Sequence, residues 1–217
     1  AGDYQKAIEI TKSILQLQQK ELGAEHLDTA DSLNLLAIMY AKQGLYSKAK
    51  PLYLRSIAIY EKRLGLEHKS TAICIRNLAI MYKSQGLYKK AQPHYERALA
   101  IREKVLGAEH KDTASDLNDL AFTYKKQRLY GMAEPLYLRA ISVYEKALGA
   151  DHPSTAVALT NLAVMYDGQG LYSKAEQLYT RALAIRKNSI GDESPLTAKS
   201  LNNLALLYAK QGSYKKS

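Results

Sequence analysis

Between residues 33 and 46 the chain reads LNLLAIMYAKQGLY, with Leu33, Leu36, Ala37 and Tyr40 at i, i+3, i+4 and i+7. That spacing lays four apolar side chains on one face of a helix. A second amphipathic stretch follows from about Tyr46 to Leu64, with Ala49, Leu52, Tyr53, Ser56 and Ile57 on its inner stripe. Between them Gly44 falls where a helix C-terminus takes a left-handed residue. The pattern predicts a hairpin of two helices, here called A and B.

The hairpin is copied along the chain. Tyrosines recur at Tyr4, Tyr46, Tyr88, Tyr130, Tyr172 and Tyr214, glycines at Gly23, Gly65, Gly107, Gly149 and Gly191, and threonines at Thr29, Thr71, Thr113, Thr155 and Thr197, each series 42 residues apart. A fixed period of this length marks a repeat array. It divides residues 1–217 into a partial unit 1–28, units of about 29–70, 71–112, 113–154 and 155–196, and a partial unit 197–217. Both ends cut a unit, so the chain reads as a window of a longer array. Small residues recur at Ala37, Ala79, Ala121, Ala163 and Ala205 in helix A, and at Ala49, Ala91, Ala133 and Ala175 in helix B. They allow close helix approach, and the 17 tyrosines all fall at repeat positions beside them, a core-packing pattern rather than a base-stacking platform.

Two local features stay open in the pattern. Pro153 and Pro195 suit a first helical position with His152 and Ser194 as N-caps, whereas Asp28, Ser70 and Asp112 are rival caps in the other copies. Pro51, Pro93 and Pro135 fall about five residues into helix B, where each implies a kink or a tightened first turn.

Composition narrows the function classes. No apolar run nears the roughly 20 residues that span a bilayer, and the N-terminus has no signal-peptide pattern. The single Cys74 leaves no internal disulfide and suits a small packing residue in a reducing compartment, so a cytoplasmic location is expected. His26, His68, His110 and His152 come one per unit, too far apart on stacked helices to share a metal, and suit caps. No phosphate-binding, dinucleotide, zinc-protease or nucleophile-elbow motif occurs, so neither catalysis nor a cofactor is expected. A net charge of +10 invites nucleic acid or an anionic surface, yet basic residues are dispersed through every unit, including Arg55, Arg97, Arg139 and Arg181 on helix B.

The pairs Leu36-Ala37, Tyr40, Ala49, Tyr53 and Ser56, with Ala98, Ala140 and Ala182 in later copies, resemble the tetratricopeptide repeat. The usual period is about 34 residues. The longer unit, summed as LNNLA..Y..QG.Y..AEPLY.RALAI.EK.LG..HP.TA, is similar to the 42-residue repeats of kinesin light chains and their microbial relatives. The resemblance implies an all-α fold, a right-handed superhelical solenoid of antiparallel helix pairs whose A helices line a concave face. It also implies that the second asparagine of LNNLA and the arginine of AIREK contribute to a peptide groove. The matching residues are Asn77, Asn161 and Asn203, with Arg102 and Arg186; Leu35, Asp119, Tyr60 and Tyr144 depart from the pattern.

If helices A line the groove, its rows can be read off. One holds Asn34, Arg76, Asn118, Thr160 and Asn202, and the next Leu35, Asn77, Asp119, Asn161 and Asn203. An apolar row holds Ile38, Ile80, Phe122, Val164 and Leu206. The last paired row runs Ala41-Lys42, Lys83-Ser84, Lys125-Lys126, Asp167-Gly168 and Ala209-Lys210. Amides carry both a donor and an acceptor and match an extended peptide backbone, while Arg76, Lys83, Lys125 and Lys126 suit acidic side chains. Asparagines that bond between neighbouring A helices are the competing role. The expected function is a non-catalytic scaffold that binds an extended, partly acidic protein segment, without small-molecule substrate, metal or membrane insertion. Binding of nucleic acid or an anionic surface, and end-to-end self-association as a spacer, are the alternatives.

Overall fold

The computed structural model describes the backbone of residues 2–214 and the side chains of residues 4–212. Residue 1 of the partial unit 1–28, the last three residues of the partial unit 197–217 and the Tyr214 side chain lie outside the described residues. Within them the fold is all-α. The helices are α1 (Gly2–Glu21), α2 (Leu27–Lys42), α3 (Tyr46–Leu64), α4 (Lys69–Ser84), α5 (Tyr88–Leu106), α6 (Lys111–Lys126), α7 (Tyr130–Leu148), α8 (Pro153–Gly168), α9 (Tyr172–Ile190) and α10 (Pro195–Tyr214). Even-numbered helices are A helices and odd-numbered ones B helices, and α3 has the predicted bounds.

The contacts gather into two compact units, Ala1–Gly107 with α1–α5 and Ala108–Ser217 with α6–α10. In the first, α2 packs along α3 and α4 along α5, with α1 against α2 and α3 against α4. In the second, α6 packs along α7 and α8 along α9, with α7 against α8 and α9 against α10. Each unit is a stack of antiparallel helix pairs. Their cores are built from the predicted positions: Ala37, Ala49, Ala79 and Ala91 are sealed beside Tyr53 and Tyr95 in one unit, and Ala121, Ala133, Ala163 and Ala175 beside Tyr137 and Tyr179 in the other. Alanine lets the backbones close in, and the phenol rings fill what the missing side chains leave.

The A-to-B turn closes as its glycine requires. Gly44 takes φ 76°, and the Leu45 N–H donates back to the Tyr40 carbonyl at 2.9 Å. Arg128 stands at this position in the third full unit and is held at φ 62°, a left-handed conformation that disfavours a side chain. The B-to-A loop is closed by side chains. Thr29, Thr71 and Thr197 donate their hydroxyls to the carbonyls of Gly23, Gly65 and Gly191, six residues back.

The histidines are the N-caps. Nδ1 of His26, His68, His110 and His152 accepts the backbone N–H of Asp28, Ser70, Asp112 and Ser154 at 3.1–3.2 Å. Asp28, Ser70 and Asp112 are therefore not caps: they lie one turn-position inside the helix and supply the N–H that the imidazole satisfies. Ser194 caps α10 in the same way, its Oγ accepting from the Leu196 N–H at 3.3 Å.

The prolines sit in tightened first turns. Each of α3, α5 and α7 continues through its proline. Ahead of it the carbonyls of Leu45, Leu87 and Leu129 each accept two N–H groups, from Lys48 and Ala49, Lys90 and Ala91, and Met132 and Ala133. In α9, where Gln177 replaces the proline, the recorded bond is the single one from Ala175 to Leu171. One expected turn is absent. Helix α10 continues through Gly212 to Tyr214, where the other A helices stop at the residue equivalent to Lys210. Elsewhere the following B helix packs back and selects the left-handed glycine, and no B helix follows Tyr214 among the described residues.

Candidate functional site

The predicted groove residues fall on few elements. Asn34 and Ile38 lie on α2; Arg76, Asn77, Ile80 and Lys83 on α4; Arg102 on α5. In the second unit Asn118, Phe122, Lys125 and Lys126 lie on α6, Asn161 and Val164 on α8, Arg186 on α9, and Asn202, Asn203 and Leu206 on α10. The apolar row is partly open to solvent: Ile38, Ile80 and Phe122 are half-buried, and Val164 and Leu206 are exposed. The α5 and α9 arginines differ. Arg102 and Arg186 are only 9% and 6% exposed, and the Arg186 guanidinium donates to the Ser200 hydroxyl on α10. Both pack within the hairpin stack and offer a ligand little surface.

The asparagine rows bond to one another. Asn77 Nδ2 donates to Asn34 Oδ1 at 3.2 Å in the first unit, and Asn161 Nδ2 to Asn118 Oδ1 at 3.1 Å in the second. Each bond joins the second row of one A helix to the first row of the A helix before it, 43 residues back. The geometry gives the pair a polarity. With that bond made, Asn34 and Asn118 keep both N–H groups and one carbonyl lone pair, while Asn77 and Asn161 keep both carbonyl lone pairs and one N–H. All four residues are half-buried, and neither the amide nitrogens of Asn34 and Asn118 nor the carbonyl oxygens of Asn77 and Asn161 are sealed from solvent.

The same 43-residue step recurs lower on the A helices. Lys210 on α10 reaches both carboxylate oxygens of Asp167 on α8, at 2.8 and 2.7 Å. One helix earlier the cations are differently placed. Lys125 Nζ stands 4.8 Å from the centre of the Phe122 ring and Lys126 Nζ 5.5 Å from it. Burial, and then the neighbouring Lys126, push the Lys125 amine down to about 8. In the first unit Lys83 lies 5.7 Å over the Tyr95 ring instead.

On the outer, B-helix side several cations are paired with carboxylates. Arg97 pairs with Glu61 and Arg181 with Glu145, each at 2.5 Å, while Lys62 and Lys146 reach Glu25 and Glu109 in the loops at 2.5 and 2.9 Å. A continuous phosphate track needs unneutralised cations in line, and these four cations each meet a carboxylate. No helix among the described residues is long and apolar enough to cross a membrane.

The tetratricopeptide repeat family model matches residues 1–62, 70–131, 117–188 and 169–217. The chain is a tetratricopeptide repeat protein. No curated protein sequence matches this tetratricopeptide repeat chain. Among solved structures it is similar to BtubC (BKLC) from P. vanneervenii, at 25% identity and a TM-score of 0.79 over 99% of this chain and 84% of that one. It is also similar to a putative kinesin light chain from Podosopora anserina with nearly identical tetratricopeptide-like repeats, at 28% identity and a TM-score of 0.75 over 87% and 90% of the two chains. A variant of that protein matches at 28% identity and a TM-score of 0.76, over 87% and 89%. The kinesin-light-chain-like character of the 42-residue repeat is thereby established, and with it the architecture of a protein–protein interaction scaffold.

Proposed function

We propose that the A-helix face of each unit binds an extended, partly acidic segment of another protein, and that the chain acts as a non-catalytic adaptor in the cytoplasm. The observation that carries this reading is the polarity of the Asn34–Asn77 and Asn118–Asn161 pairs. The unengaged amide nitrogen of one residue and the unengaged carbonyl oxygen of the other complement the C=O and N–H of a single extended peptide unit. Contacts of that kind grip a backbone without specifying its side chains. The apolar row beside them adds shallow pockets at Ile38 and Ile80 in one unit, and at Phe122, Val164 and Leu206 in the other. Arg76, Lys83, Lys125 and Lys126 favour acidic residues, whereas Asn202 and Asn203 extend the amide row onto α10.

The test is an array of overlapping acidic and neutral peptides probed with the wild-type chain and with an Asn77→Ala, Asn161→Ala double variant. The expected result is capture of a subset by wild type and loss of that subset by the variant, with helicity by circular dichroism unchanged. Capture of the same peptides at the same intensity by both proteins defeats the reading.

A further inference from the structure

The A helices of the second unit meet in one register, seen twice. Asn118 on α6 meets Asn161 on α8, and Asp167 on α8 meets Lys210 on α10, both across a step of 43 residues. Lys125 is the α6 equivalent of Asp167, and the position facing it on α8 is Gly168, the equivalent of Lys210. The ion pair that closes the α8–α10 step thus has a cation in the place of its acid and no side chain in the place of its base. Neither Lys125 nor Lys126 has a carboxylate within 4.0 Å among the described residues, and both stand over the Phe122 ring. A Cβ built on Gly168 meets nothing within 4 Å, so this position has room for a side chain.

We propose that this notch, with Gly168 as its floor, Phe122 as its wall and Lys125 and Lys126 as its cations, receives an acidic side chain of the bound protein segment. The proposal rests on the peptide-binding reading above and adds where the acid sits. The incoming carboxylate takes the part that Asp167 plays for Lys210, against a pair of ammonium groups rather than one. Its aliphatic stem lies on the Phe122 ring, next to Val164 on the apolar row.

The same register supplies the test. Gly168 is the last residue of α8 and lies in open space, so Gly168→Asp folds and places a carboxylate of the chain's own opposite Lys125. Gly168→Asn adds a side chain of the same shape without the charge. The probe is a fluorescein-labelled hexaglutamate peptide followed by anisotropy at low ionic strength. The expected result is binding about tenfold weaker for Gly168→Asp than for wild type, with Gly168→Asn within about twofold of wild type. Equal binding by wild type and Gly168→Asp, loss that is as large for Gly168→Asn, or no binding of hexaglutamate by wild type overturns the proposal. The peptide array judges the groove separately, through Asn77 and Asn161. A groove that captures peptides there while Gly168→Asp changes nothing places the acid elsewhere and leaves the groove reading standing.

Discussion

Asn161 on α8 donates an amide N–H to the Asn118 carbonyl on α6 at 3.1 Å, joining two successive A helices through their own side chains. The bond is both a tie between repeats and the feature that orients the remaining amide groups. Removing it alters both roles. Asn161→Ala is expected to lower stability by about 0.5–1.5 kcal/mol, the usual net worth of a half-buried hydrogen bond. A double-mutant cycle with Asn118→Ala in urea melts reads the coupling, which is expected to be positive and of similar size.

Two of the positive-φ positions give opposite signs. Arg128 is held at φ 62° where the other internal units place glycine. Arg128→Gly relieves about 1 kcal/mol of strain, partly offset by a more flexible unfolded chain, and is expected to raise the melting temperature. Gly149 takes φ 96° and ψ 153°, a region nearly closed to other residues. Gly149→Ala is expected to cost about 1–3 kcal/mol and to lower the melting temperature.

Cys74 is fully buried against the Tyr53 carbonyl, and burial raises its thiol to about 12. The thiolate fraction is negligible through pH 9, and access is closed as well. A thiol-specific reagent at pH 8 is expected to leave Cys74 unmodified in the native protein and to label it fully in urea. Rapid labelling of the native protein contradicts the packing described for α4.

The amine of Lys125 sets a pH dependence for acidic ligands. Burial and Lys126 hold its folded value at about 8, below that of an exposed lysine, while Asp167 and Lys210 on the neighbouring A helices are paired with each other. A carboxylate in the notch favours the charged amine, so the bound form keeps its proton to a higher pH than the free form. Hexaglutamate affinity is therefore level between about pH 6 and 7, where the probe's carboxylates stay ionised, and falls as the pH rises through 8. In Lys125→Arg, whose charge does not titrate here, the fall is expected to disappear.

Much of the fold was legible because the repeat writes it out. The glycine, threonine and tyrosine series mark the same junctions that the structure closes with left-handed turns and threonine-to-carbonyl bonds, and α3 spans the predicted Tyr46–Leu64. The caps at His26, His68 and His110 were harder to read, because Asp28, Ser70 and Asp112 are commoner capping residues and lie two positions away. The proline question closed only with the double acceptance by Leu45, Leu87 and Leu129. At the candidate site the residue types were legible and their pairing was not. Sequence period aligns residues 42 apart, whereas the packed A helices slip by one, so Asn34 meets Asn77 and Asp167 meets Lys210. That slip also hid Gly168. The burial of Arg186 was missed because a single repeat position holds arginine or tyrosine, and only packing shows that both turn inward.

The central claim is that the asparagine pairs hold the ligand backbone through the groups their mutual bond leaves free. Side-chain amide NMR of the wild-type chain, with the signals of Asn34, Asn77, Asn118 and Asn161 assigned by substitution, tests it during titration with the array's tightest-binding peptide. The account predicts saturable shifts of both members of at least one pair, at the same ligand concentration that saturates binding. Full capture of the peptide with all four side-chain amide signals unmoved would contradict it.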